Sequence, residues 1–295
     1  MLSATVDMPG SCGELAQGTL EGISFHITCP VDIYSRVTVE LNADSGCVQF
    51  PEGRTKSFQA LKQVLANLKK EGMGGYLRII SPLPMGKGMA SSTADVAGTI
   101  EAVCGAFGEE TGPEEVARIA LTVEPSDGVF FPGIVAFDHR EGRLNIPLGM
   151  PPPMDIIVLD CGGTVDTLAF NKRELKDILK RQEPIVKEAF KAIEEGLLKG
   201  DSALIGEGAT LSATANQEIN FKPQLEEAMS LARDVGAVGV NTGHSGTVIG
   251  ILLDARKSDR EAAAGYISGK SAGMKWLFNC ALIGGGRRLQ IGRHV

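Results

Sequence analysis

The sequence predicts an α+β protein built in two parts, and three observations predict it. The first half alternates strand-like runs with amphipathic helices, the prolines Pro151-Pro152-Pro153 stiffen the chain near its middle, and the second half runs through helices before most of its strands. A chain of 295 residues, 43% hydrophobic and 22% charged, can bury a sizeable core in one or two domains. The boundary is placed after residue 150, giving parts of 1–150 and 151–295.

Taken in order, Val37 to Leu41 reads as a strand. A helix follows from about Lys56 to Lys70, with Phe58, Leu61, Leu65 and Leu68 on one face. Gly75 to Ile80 is a second strand, and the run after Ser91 sets Val96, Ile100, Val103 and Phe107 at helical spacing. Pro113-Glu114-Glu115 reads as a helix start, with Val116, Ile119, Ala120 and Val123 as its apolar face. Beyond the prolines, Met154 to Asp160 is a strand. Pro184 fits the first turn of a helix closed by Gly200, Asp201 can cap the next, and Pro223 opens a third that Gly236 closes. The late strands Val238 to Val240, Val248 to Leu253, Lys275 to Cys280 and Arg288 to Ile291 would form a small sheet carrying those helices.

The most informative segment is Pro84-Met85-Gly86-Lys87-Gly88-Met89-Ala90-Ser91-Ser92-Thr93-Ala94, which lies between a strand and a helix. Gly86 and Gly88 let the backbone turn and approach an anion closely, and the N–H groups and dipole of the helix N-terminus attract negative charge. Lys87 adds a point cation. Ser91, Ser92 or Thr93 can cap the helix, and a hydroxyl there can reach a magnesium ion that bridges phosphates. Such a turn can also serve geometry and capping alone. It is neither a Walker loop, since no Gly-x-x-x-x-Gly-Lys-Ser/Thr occurs, nor a dinucleotide fingerprint, since Ser91 stands where the third glycine belongs.

Two further segments carry chemistry. Glu124-Pro125-Ser126-Asp127-Gly128 presents two carboxylates on a turn after an amphipathic helix, suited to holding a metal and to accepting or orienting a hydroxyl proton. An ordinary Asp/Glu turn has the same composition. Gly236 to Thr247 is a second glycine- and hydroxyl-rich turn, read either as a hairpin or as a further ligand loop that includes His244 and Ser245.

The net charge of −7 and pI near 5.3 argue against a nucleic-acid partner, and no apolar run approaches the roughly 20 residues that span a bilayer, so no membrane partner is expected and the chain reads as cytoplasmic. Cys12, Cys29, Cys47, Cys104, Cys161 and Cys280 form no C-x-x-C pair and read as small buried hydrophobes; His26, His139, His244 and His294 show no metal-ligand spacing.

The segment from Pro84 to Ala94 resembles the second signature of the GHMP kinases, Pro-x-x-x-Gly-Leu-Gly-Ser-Ser-Ala, with Met89 in place of the leucine and Ala90 in place of the third glycine. Ala90 is expected to need a negative φ. The resemblance implies an N-terminal ribosomal-protein-like α/β domain and a C-terminal ferredoxin-like α/β sandwich. It further implies an ATP site over Pro84–Ala94, magnesium on Ser92 and Glu124, Asp127 as catalytic base with Lys87 beside it, and closure of the site by the turn around His244 and Ser245. Met8 to Gly18 sits where the family lines its acceptor site and lacks the usual Gly-Glu-His. With Cys29-Pro30-Val31-Asp32-Ile33-Tyr34 and the His244 turn, it is similar to the branch that phosphorylates L-threonine for the aminopropanol linker of cobalamin, across nearly the whole chain. Glu14, Asp32, Tyr34, His244 and Ser245, with Arg36, are then candidates for gripping the amino acid. Homoserine or another small alcohol as acceptor, and a catalytically silent nucleotide sensor of the same fold, are the alternatives; whether the chain pairs as a homodimer is not legible.

Overall fold

The computed structural model describes residues 1–43, 46–163 and 175–290. Two long strands, β1 (Leu2–Leu20) and β2 (Ile23–Asn42), form a bulged antiparallel hairpin. β3 (Val48–Gln49), α1 (Thr55–Asn67), β4 (Gly74–Ile80), α2 (Ser91–Phe107), α3 (Pro113–Val123), β5 (Ile134–Phe137) and β6 (Asn145–Gly149) complete the first half. The second half holds β7 (Met154–Asp160), α4 (Lys176–Lys199), α5 (Ser202–Ala215), α6 (Leu225–Asp234), β8 (Gly239–Thr242), β9 (Val248–Asp254), α7 (Arg260–Lys270), β10 (Lys275–Ala281) and β11 (Arg288–Gln290). The fold is α+β, with a curled sheet and seven helices among the described residues. The division expected after residue 150 falls between β6 and β7.

The strands make one sheet, in the order β10-β7-β9-β8-β1-β2-β4-β3. This corrects the expected small C-terminal sheet: β8 joins β1 through Glu14 and Thr242, and β11 pairs with β1 from Thr5 to Asp7. Ile291, the expected end of that last strand, lies outside the described residues. α2 lies across β1 and β2, where Gly98 leaves room for Val37 and Met8, and nearly the whole helix is buried. A second apolar cluster joins Ile157, Leu159, Val240, Ile249 and Ile251 of the sheet to Leu225, Ala228, Leu231 and Ile267 of α6 and α7.

Pro184 does not open a helix; it lies inside α4. An interior proline costs about 3 kcal/mol, but Ile178 and Leu179 pack with buried Leu175 and Ile219, which draws the helix back to Lys176. Asp201 caps α5 by accepting from the Ala203 N–H at 2.9 Å, and α6 starts at Leu225, two residues after Pro223. Among the described residues no helix is long and apolar enough to cross a membrane. Cys12, Cys29, Cys104 and Cys280 are buried free thiols, whereas Cys47 is exposed and Cys161 intermediate.

Candidate active site

The turn between β4 and α2 is held by backbone hydrogen bonds from two sides, β1 and the start of β9. Gly13 N–H donates to the Gly88 carbonyl at 3.0 Å, Ser11 N–H to that of Met89 at 3.1 Å, and Thr247 and Val248 N–H both donate to that of Lys87 at 2.9 and 3.1 Å. Gly88 touches the other glycine turn so closely that a Cβ there would lie 2.9 Å from the Gly246 Cα. Gly86 and Gly88 have φ of 70° and 83°, and Ala90 has φ of 51°. The expectation of a negative φ at Ala90 is therefore corrected: the residue keeps the left-handed geometry of the glycine it replaces, at a cost of about 1–2 kcal/mol.

The hydroxyls after it do not cap α2, which has no side-chain cap. Ser91 Oγ donates to the Leu83 carbonyl at 3.3 Å, Ser92 Oγ donates to a Glu124 oxygen, and Thr93 Oγ1 accepts from the Asp127 N–H at 3.2 Å. With no cap on its first turn, α2 presents its N-terminal N–H groups and positive dipole end as an anion site.

A cleft of about 340 Å³ opens over this turn, lined by residues 84–86 and 88–93 together with Glu14, Glu124, Asp127, His244 and Ser245. Ser92, Glu124 and Asp127 thus meet in one space. The second carboxylate oxygen of Glu124 is ion-paired with Lys56 from the start of α1, and Arg54 reaches across to Asp95, whose other oxygen accepts from Ser35 at 2.5 Å. Burial raises the Asp95 carboxyl, with Ser35 and Arg54 opposing the shift. A hydroxyl and a carboxylate oxygen already holding a cation are donors that suit Mg²⁺.

Asp127 is partly exposed, and its Oδ1 lies 3.2 Å from His26 Nδ1, with Glu14 Oε1 at 3.7 Å from the same nitrogen. Burial, then the charge of Asp127, push the Glu14 carboxyl well up, and its Oε2 has no partner. The fold also gathers three of the histidines that showed no sequence spacing. The His26 and His139 rings stack at 3.7 Å and 10°, and His244 lies 4.5 Å from His26.

Several expected site residues lie elsewhere. Lys87 turns from the cleft to pair with Asp160 at 2.8 Å and donate to the Gly163 carbonyl at 2.6 Å, its own carbonyl being held by Thr247 and Val248 at the start of β9. Asp32 accepts from the Ala281 N–H at 2.8 Å, Tyr34 lies under the Arg288 guanidinium at 4.8 Å, and Arg36 pairs with Asp7 at 2.7 Å. None of the four lines the cleft, and neither does Ala94. Arg54, Lys56, His26 and His139 line it without having been singled out. The only sequence signal for the first two is a basic pair at the start of a helix, where the dipole disfavours cations.

The GHMP kinases N terminal domain model matches residues 56–131, and the GHMP kinases C terminal model matches residues 188–270. An L-threonine kinase from Salmonella typhimurium is 31% identical over 92% of this chain and 90% of its own length; one from Citrobacter freundii is 30% identical over 92% and 94%. The crystal structure of homoserine kinase from Cytophaga hutchinsonii superposes with a TM-score of 0.74 at 17% identity, covering 98% of both chains.

Proposed function

Because the chain belongs to the GHMP kinase family, and is therefore a phosphotransferase acting on small alcohols, we propose that it transfers the γ-phosphoryl group of ATP to the hydroxyl of L-threonine, giving O-phospho-L-threonine and ADP. In the cell this would feed the aminopropanol linker of cobalamin. The observation that carries the reading is the meeting of Ser92, Glu124 and Asp127 in one cleft beside an uncapped helix N-terminus; the two L-threonine kinase relatives favour threonine among the small alcohols.

The triphosphate lies over residues 84–93, where the N–H groups of α2 receive its charge. Ser92 and Glu124 would hold Mg²⁺, which supplies charge neutralisation on the phosphate oxygens. Lys56, the present partner of Glu124, is then freed to face the phosphates. Asp127 accepts the hydrogen bond of the acceptor hydroxyl and takes its proton, its carboxylate held at Oδ1 by His26. Lys87 serves as a strut between the two glycine turns through Asp160. The parts 1–150 and 151–295 contribute the phosphate turn and the His244 turn respectively.

The test is ADP release under saturating ATP and magnesium with a panel of acceptors at equal concentration. Threonine is expected to be turned over well, serine more weakly and 1-amino-2-propanol hardly at all, because a site that buries partners for a polar group rejects the analogue lacking it far more strongly than one lacking a methyl. Faster turnover of homoserine or an isoprenoid alcohol would refute the threonine assignment.

A further inference from the structure

The histidine cluster forms the wall between the cleft and a smaller cavity behind it, and all three rings face both spaces. Hydrogen bonding sets their protons. His26 Nδ1–H donates to Asp127 Oδ1 at 3.2 Å, leaving Nε2 with a lone pair; His139 Nε2 accepts from Arg140 Nε at 3.4 Å, leaving the proton on Nδ1. His244 Nδ1–H donates to Gln17 Oε1 at 2.6 Å, since the Gln17 amide nitrogen is already donating to the Thr242 carbonyl. His26 and His139 are 3% and 4% exposed, and His26 Nε2 and His139 Nδ1 are both buried without a partner. An unpaired buried polar atom is unfavourable, and a ligand offering complementary oxygens would satisfy both nitrogens.

A shared metal ion fits poorly. The ion should lie in the plane of each ring about 2.0–2.1 Å from its nitrogen, which two parallel stacked rings cannot both satisfy. One nitrogen from each ring can be chosen so that all lie within 4.8 Å of one another, a span suited to the two oxygens of a carboxylate. The cations that line the cleft among the described residues, Arg54 and Lys56, are committed to Asp95 and Glu124.

We propose that His26 and His139 receive the α-carboxylate of the amino-acid acceptor, and that a proton from solvent adds to His26 Nε2 as the carboxylate binds. This rests on an amino acid being the acceptor. The proton converts a lone pair that would repel the carboxylate into a donor, and the imidazolium then lies between that carboxylate and the acidic pair Glu14 and Asp127. The groups facing the cluster are Glu14 and Gln17 from β1, Asp127 from the turn after α3, Arg140 beside His139, and Lys222 near His244. Burial, reinforced by the neighbouring cationic side chains, holds His139 and His244 well below the ordinary imidazole value, so these two stay neutral.

The test is calorimetric titration of L-threonine into the protein loaded with ADP and magnesium, in buffers of differing ionisation enthalpy between pH 7 and 8.5. About one proton is expected to be taken up per threonine, with none for 1-amino-2-propanol. The KM for threonine should rise up to about tenfold per pH unit on the alkaline side, with kcat much less affected. His26→Gln, with a fixed amide donor, should abolish proton uptake and flatten the KM profile. Should that variant fail to fold, imidazole ¹⁵N shifts of the unmodified protein supply the same readout, one ring becoming an imidazolium on addition of threonine. Threonine bound and turned over with no proton uptake and no imidazolium overturns this inference and leaves the acceptor reading standing. Failure to turn over threonine while another alcohol reacts overturns both.

Discussion

Gly246→Ala probes the junction of the two glycine turns. A methyl at position 246 would be driven into the Lys87 carbonyl oxygen and the Gly88 backbone, and no side chain is available to move aside. Carbon contacts want about 3.5–4.0 Å, so the turns must part by on the order of 1 Å. That separation breaks the hydrogen bonds from Thr247 and Val248 N–H to the Lys87 carbonyl. At about 0.5–1.5 kcal/mol each, the loss comes to about 1–3 kcal/mol. For a chain of this size roughly 2 °C of Tm accompanies each kcal/mol, so a fall of roughly 2–6 °C is expected by calorimetry. The KM for ATP should rise in parallel, because the displaced Lys87 carbonyl belongs to the phosphate turn. Gly86→Ala is the control. It has a left-handed φ, 70°, which Gly246 lacks, and meets nothing within 4 Å, so it carries backbone strain without the clash. A Gly246→Ala protein that melts as high as the unsubstituted protein and binds ATP normally would refute the argument that the turns are locked backbone to backbone.

Further expectations follow from the same geometry. Asp127→Asn should keep ATP binding and lower kcat by roughly 10²-fold or more, read in a coupled ADP assay; near-normal turnover would move the base elsewhere. Ser92→Ala and Glu124→Gln should each raise the magnesium concentration giving half-maximal rate, and unchanged titrations for both would refute their role as ligands. Glu101, buried beside Arg287 at 3.1 Å, has its carboxyl raised by burial, against the pull of Arg287, from 4.5 to about 7. The folded state then holds this proton more tightly than the unfolded one, so stability falls as pH rises from about 4.5 to about 7, by up to roughly 3 kcal/mol. Glu101→Gln should remove that slope in urea melts at pH 5 and 7, and an equal slope in both proteins would contradict the assignment.

The helices with well-marked apolar faces were legible. α1, α2 and α3 follow from the spacing of Leu61, Ile100 and Ile119 with their neighbours, and β4, β7 and β9 from short apolar runs. β1 and β2 were not. Bulges between Pro9 and Gly10 and again around Glu14 break the two-residue alternation, and the stretch from Met8 to Gln17 is buried on both faces, so it has no polar side to mark a strand. Pro9 and Pro30 inside these strands argued further against them. In the candidate site, Ser92, Glu124 and Asp127 could be named because the resemblance to the GHMP kinases gave roles to turns whose composition alone is ordinary. His26 and His139 could not, since each stands in an apolar strand or its exit and acquires meaning only when β2 and β5 pair and bring the rings together. Ala90 shows the limit of a local rule: its neighbours in the turn fix φ more firmly than its own methyl opposes it.

The pairing of β1 on both sides sets a timetable for synthesis. β2 arrives at once, but Thr242 of β8 and Arg288 to Gln290 of β11 reach β1 only after the long stretch of chain between them has been made. At about 5–20 residues per second the free edge of the first strand waits roughly 15–60 s for its last partner. During that interval the nascent hairpin carries unpaired N–H and C=O groups along apolar residues such as Val6 and Met8, a template for other nascent strands. The growing chain therefore exposes an edge that the finished protein no longer has.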